Sequence, residues 1–289
     1  MKLARIISRS HKIEPQITKD PGTQPNVNSG LQTIKVLTYN IHHGRGTDGH
    51  YNLERIAKVI KAQDPDIVAL QEVEKFRTRT SHDDQPAVLA ELLGMHHVFA
   101  PIRTVCLQDS HSEAAYGNAI LTKFPVLACE TFCLKYTNTV EPRGCLHATV
   151  EVNGYPLHVF CVHLGLRYRE RHFQIERLLS TDIVSNDRFG SGPRVLLGDF
   201  NNWWPVKSGR LLEQHFDDAC VVTGRRRHGT FGKYFNVLCL DYIFTSRDLK
   251  VEHYEVIKQG AARVASDHRP VVCSLSFRDS AGGNGRAGR

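Results

Sequence analysis

Eight short apolar segments recur along the chain: IKVLTYNI (34–41), DIVALQEV (66–73), GNAILTK (117–123), LHATVEV (146–152), YPLHVFCVHL (155–164), RVLLGDF (194–200), LDYIFTS (240–246) and PVVCSLSF (270–277). Many of them are apolar at consecutive rather than alternate positions, the pattern of a strand covered on both faces. Helical spacing appears between them. Leu53, Ile56, Val59 and Ile60 form one stripe, and Ile175, Leu178, Leu179 and Ile183 another. A third helix is predicted where Asp84 stands as an N-cap before Pro86, Leu89, Leu92 and Leu93 follow, and Gly94 closes the run. Helices and strands in rotation predict an α/β layered fold.

The same pattern sets the boundaries. Residues 14–33 lack aliphatic periodicity, so 1–33 reads as a disordered leader, and the Gly-rich DSAGGNGRAGR end makes 278–289 a tail. One domain over 34–277 remains. Of the formal charge of +7, the leader holds five Lys or Arg against two acids and the tail three against one, which leaves +2 for the domain. The basic ends suit peripheral contact with an anionic membrane surface, or are simply solvated. No apolar run approaches the roughly 18–20 residues that a membrane span needs, and the N-terminus has no secretory apolar stretch. A monomeric cytoplasmic protein is the expectation. The eight cysteines form no CxxC pair and mostly sit in strand text, which predicts buried reduced thiols rather than a zinc site or a disulfide scaffold.

Polar residues that chemistry could use recur at the strand ends. Asn40 closes the first segment, Gln71 and Glu72 the second, His163 the fifth, and Asp199 and Asn201 the sixth; Asp241 opens the seventh, and Asp267 and His268 precede the eighth. Singly, each has an ordinary reading as a turn or capping residue. Together they fit one pocket, because ligands of open α/β sheets bind at the strand ends. SDHRPVV (266–272) sharpens this, presenting an acid and an imidazole on the shoulder of a buried strand.

In order, YNIHHG, LQEV, YGNAIL, VHL, GDFN, LDYIF and SDHRPV resemble the endonuclease/exonuclease/phosphatase superfamily over roughly residues 34–277, GDFN followed by SDH being the most specific part. The resemblance implies a four-layer α/β sandwich of two mixed β-sheets flanked by helices, and metal-dependent phosphoester hydrolysis. Such hydrolysis needs a cation on a nonbridging oxygen, an activated water and protonation of the leaving oxygen. Glu72, Asn40 and Asp267 are the expected metal ligands, an oxygen donor set that suits Mg²⁺ or Mn²⁺. His268, oriented by Asp241, is the expected base for the attacking water, with Asp199 sharing that work. Asn201 is expected on the phosphoryl oxygens. The resemblance implies the acid role for His163, as in deoxyribonuclease-like members, and substrate or phosphate contacts for Asn118 and Arg143.

The substrate stays open between two classes. Similarity of the wider text to a bacterial branch, distantly like proteins associated with GPI-anchor lipids, points to a lipid head group or small phosphodiester. The loop GRRRHGTFGKYF (224–235), with three arginines and three aromatics among its residues, suits nucleic acid. A non-catalytic phosphate-binding module is the third reading, disfavoured because both the metal acid and the histidine are present.

Overall fold

Along Ile34–Asn40 neighbouring side chains enter different hydrophobic layers: Val36 joins the interior between two sheets, while Leu37 and Tyr39 pack under helices. This accounts for the unbroken apolar text, since both faces of the strand are buried. The computed structural model describes residues 11–12, 33–106, 113–186, 192–202, 207–232 and 238–278. The expected leader and tail lie outside the described residues, apart from positions 11–12, Thr33 and Arg278.

In chain order the strands are β1 (His11–Lys12), β2 (Ile34–Asn40), β3 (Ile67–Lys75), β4 (His96–Cys106), β5 (Glu113–Thr122), β6 (Val126–Cys133), β7 (Gly144–Val152), β8 (Tyr155–His163), β9 (Arg194–Asp199), β10 (Asp217–Asp218), β11 (Asp241–Thr245), β12 (Leu249–Val256) and β13 (Val271–Phe277). The helices are α1 (Leu53–Lys61), α2 (Gln85–Leu93), α3 (Tyr168–Leu178), α4 (Lys207–His215), α5 (Ala219–Val222) and α6 (Ala262–Ala265). One sheet runs β12-β13-β2-β3-β5-β4 and the other β1-β6-β7-β8-β9-β11-β10. Each is mixed, with a single parallel pair, β2 with β3 and β8 with β9, among antiparallel neighbours.

Three apolar clusters separate four layers. Val36, Ile67, Ala69 and Ile120 meet Leu146, Val159, Val195 and Leu197 between the sheets. Ile56, Ile60 and Leu89 cover the first sheet, and Ile175, Leu178 and Leu212 the second. The four-layer α/β sandwich expected from the resemblance is therefore the architecture. No disulfide joins the described cysteines, and among the described residues no helix is long and apolar enough to cross a membrane.

Local signals explain the helices. Asn52 caps α1 by accepting the Arg55 N–H, and Asp84 caps α2 by accepting that of Ala87. Gly94 ends α2 in the left-handed conformation that glycine adopts without strain. Two details differ from the periodicity: Leu92 is exposed, and Ile183 reaches the core from a turn beyond the end of α3. Strands β4, β6 and β12 escape the apolar pattern because they lie at or near the sheet edges, where half-exposed side chains interrupt it.

The two parallel pairs position the chemistry. β2-α1-β3 and β8-α3-β9 are βαβ units, one in each sheet, in register at Asn40 with Gln71 and at His163 with Asp199. β11 runs back along β9 with Asp241 opposite Asp199. Gly198 lets β9 approach β8 on its other side: its φ is 150°, and a Cβ there would lie 2.0 Å from the Val162 carbonyl oxygen. Two strand ends from each sheet thus arrive at one end of the sandwich.

Because Leu197 is fully buried between the sheets two residues before Asp199, Leu197→Ala is expected to destabilise the fold by about 2–5 kcal/mol. Urea unfolding followed by circular dichroism measures this, and a loss below about 1 kcal/mol would show that the intersheet layer relaxes freely.

Candidate active site

Asn40, fully buried at the end of β2, donates from Nδ2 to Glu72 Oε1 and to Asp199 Oδ2, each at 3.0 Å. Its Oδ1 accepts the His42 backbone N–H, also at 3.0 Å, so all three contacts agree on one orientation of the amide. A single side chain therefore ties the carboxylate of one sheet to that of the other.

Glu72 is presented by an irregularity in β3. The register with β5 shifts between Leu70 and Val73, and Glu72 takes a left-handed φ of 58°. His42, His43 and Asn201 also have positive φ, at 46°, 45° and 49°. Left-handed backbone at non-glycine residues costs of order 1–3 kcal/mol each and persists where the surroundings enforce it, commonly at functional sites. Burial pushes the Glu72 carboxyl up, but the hydrogen bonds from His43 and the Asn40 amide outweigh it and hold the group well below the usual carboxylate range.

The SDH loop completes the other side. Ser266 donates its hydroxyl to the Asn40 carbonyl at 2.8 Å and accepts the His268 N–H at 3.2 Å. Arg269 closes the turn by donating to the carbonyls of Ser266 and His268. His268 Nδ1 lies 2.9 Å from Asp241 Oδ2, and its Nε2 points at Asp199 Oδ2, 3.6 Å away. Thr230 fixes Asp241 in turn by accepting its backbone N–H, and the Phe231 ring packs 4.9 Å from the imidazole. Burial alone would lower His268; the carboxylates of Asp241 and Asp199 on its two nitrogens raise it well above the ordinary histidine value. Burial raises Asp199, with His268 opposing and Asp241 adding to the rise.

His163 approaches the same oxygen from β8, with Nε2 3.5 Å from Asp199 Oδ2. Its Nδ1 is 3.4 Å from an Arg143 nitrogen; a guanidinium only donates, so Nδ1 accepts and Nε2 carries the proton. Burial and the Arg143 charge hold this imidazole well below its ordinary pKa, hence neutral. Two histidine Nε2 atoms and the Asn40 amide thus converge on one Asp199 oxygen.

These groups face a cavity of about 600 Å³. Of the expected residues, Glu72, Arg143, His163, Asp199, Asn201, Asp267 and His268 line it, with Asn40 and Asp241 hydrogen-bonded to lining residues. Asn201 donates to the Leu164 carbonyl at 2.9 Å. Asn118 does not line it: the side chain lies between the sheets, donating to the Gly144 and Cys161 carbonyls. Gln71 is likewise interior, bonded to Thr38 and Cys161. Tyr116, Arg77, Arg79 and Arg103 also line the cavity and carry no signal in the strand-end pattern.

Among the described residues two groups could hold a metal: His42, His43 and Glu72, and Asp199, Asp241 and His268, the ligand atoms of each lying within 4.8 Å of one another. His43 Nδ1 is 3.8 Å from Glu72, and His42 Nδ1 3.8 Å from Asp267. The two histidines of YNIHHG were legible as potential ligands directly after a strand end. The ionised Glu72 carboxylate, with Asp267 on the same cavity, fits a divalent cation.

Comparison with known proteins accords with this geometry. The chain is 28% identical over 257 residues to the uncharacterized protein YbhP of Escherichia coli K12, spanning 84% of this chain and 96% of that protein. A solved endonuclease/exonuclease/phosphatase from Beutenbergia cavernae superposes with a TM-score of 0.67 at 26% identity, covering 85% of this chain and 72% of the other. The human Nocturnin catalytic domain, solved with bound sulfate, superposes with a TM-score of 0.68 at 23% identity over 85% and 95% of the two chains. The sequence pattern of the Endonuclease/Exonuclease/phosphatase family matches residues 37–268, through the strand ends that build the cavity and as far as His268, and the chain belongs to that family.

Proposed function

We propose that the protein is a metal-dependent phosphodiesterase acting on a lipid head group or another small phosphodiester. The observation that carries this reading is the convergence of His163, His268 and Asn40 on Asp199 Oδ2, with Glu72 on the other hydrogen of the same amide. Members of this family hydrolyse phosphoester bonds, and each need of that reaction has a candidate here. Glu72 and Asp267, with Asn40 beside them, would hold Mg²⁺ or Mn²⁺ as a Lewis acid for the phosphoryl oxygen. Asp241 keeps His268 in one orientation and holds its positive charge, and Asp199 Oδ2, 3.6 Å from His268 Nε2, takes the proton of the attacking water with that imidazolium beside it. The Asn201 amide retains one N–H for the phosphoryl oxygens. An anionic phosphoryl group in the cavity offsets the Arg143 charge and lets His163 take up a second proton as substrate binds; its Nε2 proton then goes to the leaving oxygen and the imidazole returns to the neutral form.

The cavity mouth favours the lipid reading over nucleic acid. Leu166 lines the cavity yet is 70% exposed, and exposed Tyr168 and Phe173 follow it on α3. Arg167 and Arg169 stand exposed among them, a mixture suited to an anionic interface. Two members of the 224–235 loop are committed elsewhere: Arg227 pairs with Asp218 and lies over Tyr242, and Phe231 packs against His268. Tyr234 and Phe235 are outside the described residues. The same reading takes the enzyme as a cytoplasmic monomer whose basic ends contact an anionic membrane.

Glu72→Gln keeps the shape of the ligand and removes its charge. Activity on bis(4-nitrophenyl) phosphate is expected to fall by more than the roughly 10- to 100-fold that outer-sphere partners are worth, with a higher Mg²⁺ requirement. Full activity at limiting Mg²⁺ would sink the metal assignment.

The two histidines are separable by leaving group. His268→Ala is expected to cost ~10²–10⁴ in rate on any substrate. His163→Ala should be as severe for an alkyl leaving group and mild for a nitrophenolate, which departs unaided. Equal losses on both substrates would remove His163 from the acid role.

A further inference from the structure

Beyond the groups assigned above, the cavity is lined by Arg77, Arg79 and Arg103, with Tyr116 among them. The sheet mounts them in a row, because Glu74 of β3 is in register with Tyr116 of β5, and Tyr116 with Arg103 of β4. Directly opposed residues share a face. Arg77 and Arg79 leave β3 by the short turn that follows it and fold back onto Glu74.

The charges there do not balance. Glu74, whose side chain is 0% exposed, is shared by both arginines: Arg79 binds it at 2.5 Å, and Arg77 approaches at 3.5 Å. Arg143, beside them, takes Glu141 at 3.0 Å. Arg103 is exposed and, among the described residues, has no carboxylate in ion-pair reach. Among the described residues, four guanidiniums therefore meet two carboxylates in ion pairs, which leaves two positive charges of this row unmatched at the cavity. Glu72 and Asp267 do not offset them if they hold a metal. Glu74, buried beneath, acts as a clamp that fixes two guanidinium forks before any ligand arrives, which lowers the entropic cost of binding an anion. Burial and the Glu72 charge keep the Tyr116 phenol protonated, able to donate to the same anion.

We propose that Arg77, Arg79 and Arg103 form a subsite for a second phosphate group, so that the substrate carries at least two phosphates, of which one is cleaved. This deepens the phosphoesterase reading and rests on it. The second phosphate could belong to a soluble molecule or to a lipid head group, and the recognition chemistry is the same.

The test uses probes that the enzyme cannot hydrolyse. In the presence of Mg²⁺, calorimetry compares butane-1,4-bisphosphonate with butylphosphonate. The full-length protein is expected to bind the bisphosphonate about 10-fold more tightly or better, the worth of one charge-assisted contact. Arg103→Glu should bring the ratio close to one; Arg79→Lys, which keeps the charge on Glu74 and loses the fork, should reduce it. Thermal melting checks that both variants are folded. In a second arm, vesicles containing phosphatidylinositol 4-phosphate are compared with vesicles of phosphatidylinositol. Cosedimentation that favours the former and is lost in Arg103→Glu supports the subsite and assigns it to a lipid; a response to the bisphosphonate alone supports it and assigns a soluble ligand. No preference in either arm, or a preference unchanged by Arg103→Glu, overturns it. A preserved preference in a protein that does not turn over bis(4-nitrophenyl) phosphate would leave the subsite standing and remove the phosphoesterase reading instead.

Discussion

Everything at the cavity depends on one buried amide. Asn40 spends both Nδ2 hydrogens on carboxylates, Glu72 in its own sheet and Asp199 in the other, while its oxygen is held by the backbone two residues on. Hydrogen bonds to charged acceptors are worth about 1.5–3 kcal/mol each, and a buried carboxylate left without them costs more than their mean value. The amide thus fixes the distance between the proposed metal side and the proposed proton-transfer side. The fold makes this bridge reachable by ending two parallel strand pairs, one per sheet, at the same rim.

The arrangement concentrates electrostatic cost where it is usable. Asp199, Asp241 and His268 are all buried and face one another, and burial raises one carboxyl while the carboxylates raise the imidazole. His163, with a guanidinium at its back, is pushed the other way. Two imidazoles aimed at one oxygen, one from β8 and one from the loop before β13, therefore differ in protonation because of their neighbours. The left-handed backbone at Glu72 and Asn201 belongs to the same economy, since strain aims side chains that a regular strand would turn elsewhere.

Central elements were legible in the sequence because they are buried on both faces. β2, β3, β8, β9 and β13 write themselves as continuous apolar runs ending in polar residues, and Glu72, Asp199 and His268 were recognisable by that ending. β4, β6 and β12 were not, since at or near the sheet edges exposed positions interrupt the apolar run. That gap hid the arginine row: without β4 there is no reason to place Arg103 beside Tyr116 and Arg79. Asn118 illustrates the opposite limit, because a buried asparagine that joins two sheets through backbone carbonyls has the same local text as one that contacts a ligand. His42 and His43 were quoted in a motif yet unassigned; only the folded turn brings them to Asp267 and Glu72.

The wiring through Asn40 is the most exposed claim. Asn40→Leu keeps the branched shape and the number of heavy atoms and removes all three contacts. With the protein folded and Mg²⁺ saturating, kcat/KM on bis(4-nitrophenyl) phosphate is predicted to fall by about 10- to 100-fold or more, as for other residues that orient ligands and catalytic groups. A folded Asn40→Leu protein with wild-type kcat/KM would contradict the account, because the two halves of the site would then be working without the bridge.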